Sequence, residues 1–218
     1  LYVMSAKGGA ARQLTFGSTN ITPEAFTPDG KSVVYSASIQ DPVSSRLFPS
    51  ARLTELYSVP VAGGASVQIL ASPAESISYL PDGKSFLYQD QKGMEDVWRK
   101  HHTSSVTRDI WKYDAQTGRH TNLTAHAGED RNPVIASDGH TVYFLSERDG
   151  GSMNVYAFDM AAPDKIRPVT HFTGAPVRFL SIGGNGSLVY TYDGEIYTQQ
   201  PSGEPQKLPI AVVDDLSE

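Results

Sequence analysis

Three stretches of this chain gather side chains able to do chemistry. The first, Gln40-Asp41-Pro42-Val43-Ser44-Ser45-Arg46-Leu47-Phe48-Pro49-Ser50-Ala51-Arg52, holds two prolines, two arginines and a phenylalanine. The second runs from Gly93 to Arg108 and places Glu95-Asp96, Trp98, Arg99-Lys100 and His101-His102 in close succession. The third, His126-Ala127-Gly128-Glu129-Asp130-Arg131-Asn132, sets two carboxylates beside an arginine. Guanidinium groups recognise carboxylates and carbonyl oxygens through paired hydrogen bonds, and Trp and Phe supply flat apolar contact. This mixture suits the binding of a peptide or protein partner. The candidate residues are Arg46, Phe48, Arg52, Trp98, Arg99, His101, His102, Arg108, Glu129, Asp130 and Arg131. The same residues have a plainer reading, in which the charges staple loops as ion pairs of small individual worth and Trp98 pins its loop to the fold.

His101, His102, His126 and His171 are potential metal ligands, since neutral imidazole binds zinc, manganese and similar ions. Their spacing does not force them together, and no metal or cofactor is expected. The chain has no Gly-x-Ser-x-Gly elbow, no His-Glu-x-x-His helix and no phosphate-binding loop. A covalent hydrolase site within these 218 residues is therefore not expected.

A repeat positions these stretches. Thr27-Pro28-Asp29-Gly30-Lys31-Ser32-Val33-Val34-Tyr35, Leu80-Pro81-Asp82-Gly83-Lys84-Ser85-Phe86-Leu87-Tyr88 and Ala136-Ser137-Asp138-Gly139-His140-Thr141-Val142-Tyr143-Phe144 share one pattern, and Gly183-Gly184-Asn185-Gly186-Ser187-Leu188-Val189-Tyr190 is a worn fourth copy. The Asp-Gly pair marks a tight hairpin, with Gly, or Asn185 or its neighbour in the fourth copy, taking the positive φ. An apolar segment precedes each hairpin and an apolar triplet follows it. Two further columns read as strands. One contains Tyr2, Tyr57, Trp111, Tyr156 and Tyr197; the other contains Gln13-Leu14, Ile69-Leu70, Leu123-Thr124, Val169-Thr170 and Leu208-Pro209. Gly8-Gly9, Gly63-Gly64, Thr117-Gly118, Pro163-Asp164 and Ser202-Gly203 supply the turns between the columns. Four antiparallel strands recurring every 40 to 50 residues or so define a β-propeller blade.

The expected fold is all-β, with a half blade at 1–16 and full blades at about 21–71, 75–125, 131–171 and 175–210 of one propeller domain or fragment. The uneven count, four inner strand pairs against five outer ones, reads as a section of a six- or seven-bladed ring. In this topology the Asp-Gly hairpins share one face of the disc. The long connections 38–54 and 91–108 emerge on the other, where binding residues concentrate.

Composition narrows the partners. The net charge is −6, with no dense Lys/Arg block, so nucleic acid is not an expected partner. No cysteine is present, which removes disulfides and thiolate chemistry. No apolar run approaches the 20 or so residues of a membrane span, and the N-terminus lacks a signal-peptide layout.

The Pro-Asp-Gly-Lys-Ser hairpin with its apolar-apolar-Tyr strand resembles the WD-like repeats of TolB and of tricorn-type serine peptidases. Lys100-His101-His102-Thr103-Ser104-Ser105, Asp109-Ile110-Trp111 and His126 to Pro133 are similar to the N-terminal propeller of tricorn-like peptidases from Bacteroidetes-type bacteria. That resemblance implies a propeller followed by PDZ-like and serine protease domains in the same parent chain, acting in the periplasm or cell envelope. It implies that the propeller guides or gates peptides and carries no catalytic residue. Two other roles stay open: a TolB-like docking module for an envelope protein, and a propeller enzyme similar to oligogalacturonate lyases, with histidine-bound manganese.

Overall fold

The computed structural model describes residues 1–17, 19–39, 53–93, 98, 103–149 and 151–211. Every regular element among them is a β-strand. The first two, β1 (Tyr2–Val3) and β2 (Arg12–Gln13), form a two-stranded sheet. Four antiparallel four-stranded sheets follow. Blade one contains β3 (Ile21–Phe26), β4 (Ser32–Ala37), β5 (Glu55–Pro60) and β6 (Val67–Leu70). Blade two contains β7 (Ala74–Tyr79), β8 (Phe86–Asp90), β9 (Ile110–Asp114) and β10 (Arg119–Asn122). Blade three contains β11 (Asp130–Ile135), β12 (Thr141–Ser146), β13 (Asn154–Asp159) and β14 (Ala162–Pro168). Blade four contains β15 (Arg178–Ile182), β16 (Leu188–Tyr192), β17 (Glu195–Gln199) and β18 (Gln206–Lys207). Neighbouring blades meet through their first strands, β3 with β7, β7 with β11 and β11 with β15. These strands line the axis of a β-propeller.

The apolar triplet of each of the first three repeats is buried on both faces, because its strand lies between two neighbouring sheets, while in the fourth Val189 is only partly buried. Successive side chains of a strand point to opposite faces. Val33 and Tyr35 therefore pack with Leu14 on one side of blade one, while Val34 joins Leu56, Ile77, Phe86 and Tyr88 on the other. Leu87 faces Val142 and Phe144 of blade three. Tyr143 and Leu145 turn the opposite way, onto Val177, Leu180 and Leu188 of blade four.

The hairpins of the regular face are locked by their aspartates. Asp29 Oδ1 accepts the Lys31 amide at 3.0 Å, Asp82 Oδ1 the Lys84 and Ser85 amides at 2.9 and 2.8 Å, and Asp138 Oδ1 the His140 and Thr141 amides at 2.9 and 2.8 Å. Asn185 Oδ1 does the same for Ser187 at 3.1 Å, with Gly186 at φ 81°. The hairpin prolines have a second role, since Pro28 lies under Gly83 of the next blade and Pro81 under Gly139.

Blade three departs from expectation at one turn. Pro163-Asp164 lies inside β14, and the chain reverses at Met160-Ala161 instead. There Asp159 Oδ1 accepts the Ala161 amide at 2.8 Å and closes the turn early. Pro163 is tolerated because β14 is the outer edge strand of its sheet.

Gly30 and Gly139 have similar positive φ, 69° and 78°, but different surroundings. A Cβ on Gly30 would meet nothing within 4 Å, whereas one on Gly139 would lie 2.6 Å from Pro81 Cγ. Gly30→Ala is expected to cost about 1 kcal/mol, the left-handed backbone penalty. Gly139→Ala should cost at least about 1 kcal/mol more, because Pro81 must move. Urea denaturation of the two variants measures the difference; equal losses would refute the packing of one hairpin against the next.

Candidate functional site on the propeller axis

Each axial strand carries one extra residue, a β-bulge, at the same height. The register slips between Pro23 and Ala25, Glu75 and Ser78, Arg131 and Val134, and Arg178 and Ser181. Three of the bulges hold a non-glycine residue at positive φ: Ser76 at 50°, Asn132 at 48° and Phe179 at 55°. A bulge frees backbone groups from the ladder, and here those groups join adjacent blades. The Ser76 amide donates to Glu24 Oε2 at 2.8 Å, and the Asn132 amide to Gln89 Oε1 at 2.9 Å. Asn132 Nδ2 donates to Ser76 Oγ at 3.1 Å. Burial raises the Glu24 pKa above the ordinary carboxylate value, against the lowering effect of its bonds to Ser36 and Ser76.

A charged network lies beside this belt. Arg108 Nη1 donates to Glu129 Oε1 at 3.1 Å, and its Nε lies 3.4 Å from Glu75 Oε2. Arg131 Nε donates to the same Glu129 oxygen at 2.5 Å, and Gln89 Nε2 donates to Glu75 Oε2 at 3.0 Å. Burial lowers the Arg131 pKa and the nearby Arg108 adds to that effect, while Glu129 opposes it. Arg131 uses only Nε in this network; its two terminal nitrogens have no acceptor among the described residues. Asp130 is fully buried. Its Oδ2 accepts Arg148 Nη2 at 2.9 Å, while its Oδ1 has no hydrogen-bond partner among the described residues. Burial pushes its pKa up to about 6 even though Arg148 pulls it down.

The axis encloses a hollow of about 390 Å³. Glu24, Glu75, Arg131 and Arg178 bring charge to its wall; Leu145, Met153 and Phe179 bring apolar surface. At its edge two large side chains remain exposed, Phe179 at 59% and Trp98 at 62%. Their rings meet edge to face with centroids 6.0 Å apart. The Arg178 guanidinium lies 4.8 Å from the Trp98 ring centre, and its Nη2 donates to the Trp98 carbonyl at 3.2 Å. Trp98 thus reaches from the connection between β8 and β9 of blade two to β15 of blade four. The neck of that connection is pinned by Lys92, which donates to Asp109 Oδ2 at 2.7 Å and to the Thr107 carbonyl at 2.8 Å. A slightly larger hollow, about 430 Å³, lies off the axis between β14 and the turn that joins β17 to β18.

Of the residues singled out from sequence, Arg108, Glu129 and Arg131 come together near the axis, Asp130 pairs instead with Arg148, and Trp98 stands at the rim of the hollow. Arg46, Phe48, Arg52, Arg99, His101 and His102 lie outside the described residues. His126 Nδ1 accepts the Gly128 amide of its own loop at 3.0 Å. Glu24, Glu75, Gln89, Arg178 and Phe179 were not anticipated. A signal for them was present: Pro23, Ser76, Asn132 and Phe179 each stand six residues before the turn residue Asp29, Asp82, Asp138 or Asn185.

Two outcomes follow from the buried charges. Glu129→Ala leaves Arg108 and Arg131 facing each other without their shared carboxylate and should cost about 3–5 kcal/mol in chemical denaturation. Lys207→Ala breaks an exposed, solvent-screened pair with Glu195 and should cost far less. Similar losses for both would contradict the burial of the network. Asp130 titrates upward in the folded state, so between about pH 4 and 6 the folded chain holds more protons than the unfolded one. Its contribution to stability is greatest at acid pH and is lost as the pH rises through 6. The stability of the wild type relative to Asp130→Asn should therefore grow by about 1–3 kcal/mol between pH 7 and pH 4.5. A pH-independent gap would show that Asp130 titrates normally.

Comparison with known proteins places this geometry. Residues 1–204 match the model of the tricorn protease N-terminal β-propeller domain. The chain is 28% identical over 183 residues to dipeptidyl-peptidase 5 of Porphyromonas endodontalis, an alignment covering 66% of this chain and 26% of that protein. It thus spans about a quarter of that relative's length. The structure of a TolB from Agrobacterium tumefaciens superposes with a TM-score of 0.72 at 20% identity, covering 94% of this chain and 72% of that one. The tricorn protease superposes with a TM-score of 0.55 at 17% identity, covering 97% of this chain and 24% of that one. These structural likenesses speak to the fold, and the family match extends over nearly the whole sequence: the chain belongs to the family of tricorn protease N-terminal β-propeller domains.

Proposed function

We propose that this propeller is a non-catalytic region of a tricorn-like serine peptidase that binds peptides on its axis and guides them to a separate protease domain. The observation that carries this reading is the axial hollow of about 390 Å³, where charged groups and apolar side chains from several blades share one wall. A small concave site with a few placed polar groups is the usual form of a ligand pocket. Family membership and the dipeptidyl-peptidase relative supply the chemical class of the ligand. The bulge belt makes the site rigid, because its hydrogen bonds run between blades; a rigid wall lowers the ordering cost of binding a flexible peptide. Trp98 offers exposed aromatic area at the rim. On this reading the parent protein acts in the periplasm or cell envelope, with PDZ-like and protease domains as partners within one chain.

Equilibrium dialysis of the chain against a tryptic digest of casein, read by mass spectrometry, tests the proposal. A subset of peptides should be retained, and Trp98→Ala should weaken that retention about three- to tenfold. Retention of no peptide would overturn the reading and favour a protein-docking role of the TolB kind.

A further inference from the structure

We propose that the axial hollow is a pocket for one aromatic side chain of the bound peptide, gripped at its rim by Trp98 and Phe179. This rests on the peptide-binding reading above and adds the kind of residue recognised.

Phe179 is the informative residue. Ser76 and Asn132, at the equivalent bulges, are small and polar, and both use their positive φ to hydrogen-bond the adjacent blade. A bulky side chain at φ 55° is an outlier and carries a backbone penalty. With 59% of its surface exposed, Phe179 recovers little of that by burial. Backbone strain that packing does not repay tends to collect at ligand clamps. The rim brings three groups with a preference for aromatic rings. Phe179 and Trp98 already sit edge to face, the geometry in which a third ring adds. Arg178 supplies a cation at ring distance. Met153, otherwise part of the core between blades three and four, lines the hollow, and thioethers pack well on aromatic edges.

Size and charge agree. Ligand pockets run from about 300 to 1,000 Å³, so this one, at about 390 Å³, takes a side chain rather than a folded surface. Glu24 is engaged by the Ser76 amide, and Glu75 by Gln89 and Arg108, so the wall carboxylates are not set to select a cationic side chain. The terminal nitrogens of Arg131 remain as donors for a carbonyl of the same peptide.

The test uses two capped, uncharged peptides, N-acetyl-Gly-Gly-Phe-Gly-Gly-amide and its counterpart with Ala at the centre. The Phe peptide should bind at least tenfold more tightly in equilibrium dialysis. Phe179→Asn, a residue type suited to positive φ, and Trp98→Ala, at an exposed position, should each reduce that preference to within twofold. Equal affinity for the two peptides, or a preference that survives both substitutions, would overturn the pocket. The casein digest separates the failures. Retained peptides without aromatic preference sink only the pocket assignment, whereas no retention at all sinks it together with the peptide-binding reading.

Discussion

The second strand of every blade is apolar on both faces, and this arrangement sets what the rest of the chain can do. Val34 faces blade two while Val33 and Tyr35 face the two-stranded sheet; Phe86 and Tyr88 face blade one while Leu87 faces blade three. Burying such a side chain is worth about 1.5–3 kcal/mol, and much of that depends on the adjacent blade being present. A lone blade would leave half of these residues in water, so stability accumulates from neighbour to neighbour, as in other repeat folds. The Pro28–Gly83 and Pro81–Gly139 contacts extend the same dependence to the hairpins.

The axial strands solve a different problem. Packed side by side around an axis, they bring backbone polar groups into a partly buried space where each needs a partner. The bulges at Ser76 and Asn132 turn amides sideways onto Glu24 and Gln89 of the preceding blades. This satisfies the backbone and joins the blades, but it places carboxylates in a poorly solvated position, as the raised pKa of Glu24 shows. The arginines that approach these acids complete the balance unevenly. Glu129 serves two guanidinium groups, and Arg131 keeps donors to spare. The proposed binding surface is a consequence of how the axis is stitched together.

The fold was legible wherever burial imposes a pattern. The Asp-Gly turns and the apolar triplets gave the blade order, and the aromatic column at Tyr57, Trp111, Tyr156 and Tyr197 marked the third strands. Legibility faded outward. The fourth strands β10 and β18 are displaced from their columns, β10 ending at Asn122 before Leu123-Thr124 and β18 at Lys207 before Leu208-Pro209, because an exposed edge strand has little need of apolar alternation. At Pro163-Asp164 composition pointed to a turn, but the Asp159 carboxylate closed the reversal earlier. The axial site was harder still to see. Its bulge positions carry Pro, Ser, Asn and Phe, with no shared residue type, since what they share is a backbone geometry. Glu129, Asp130 and Arg131 read as a polar loop, yet β11 begins at Asp130 and draws all three inside.

The two kinds of constraint meet at the rim of the hollow. On the regular face, the Asp-Gly hairpins of blades two and three pack against the hairpin of the preceding blade. On the opposite face the connection between β8 and β9 is long enough for Trp98 to reach blade four. Its neck is nonetheless fixed, because Lys92 ties Thr107 and Asp109 at a single point. Trp98 is thus an exposed side chain held from a pinned base, set against Phe179, which is held at a positive φ. The proposed pocket divides into a wall built by stitched blades and a rim supplied by a long connection, because Trp98 lies outside the inter-blade core and meets the bulge belt at Arg178 and Phe179.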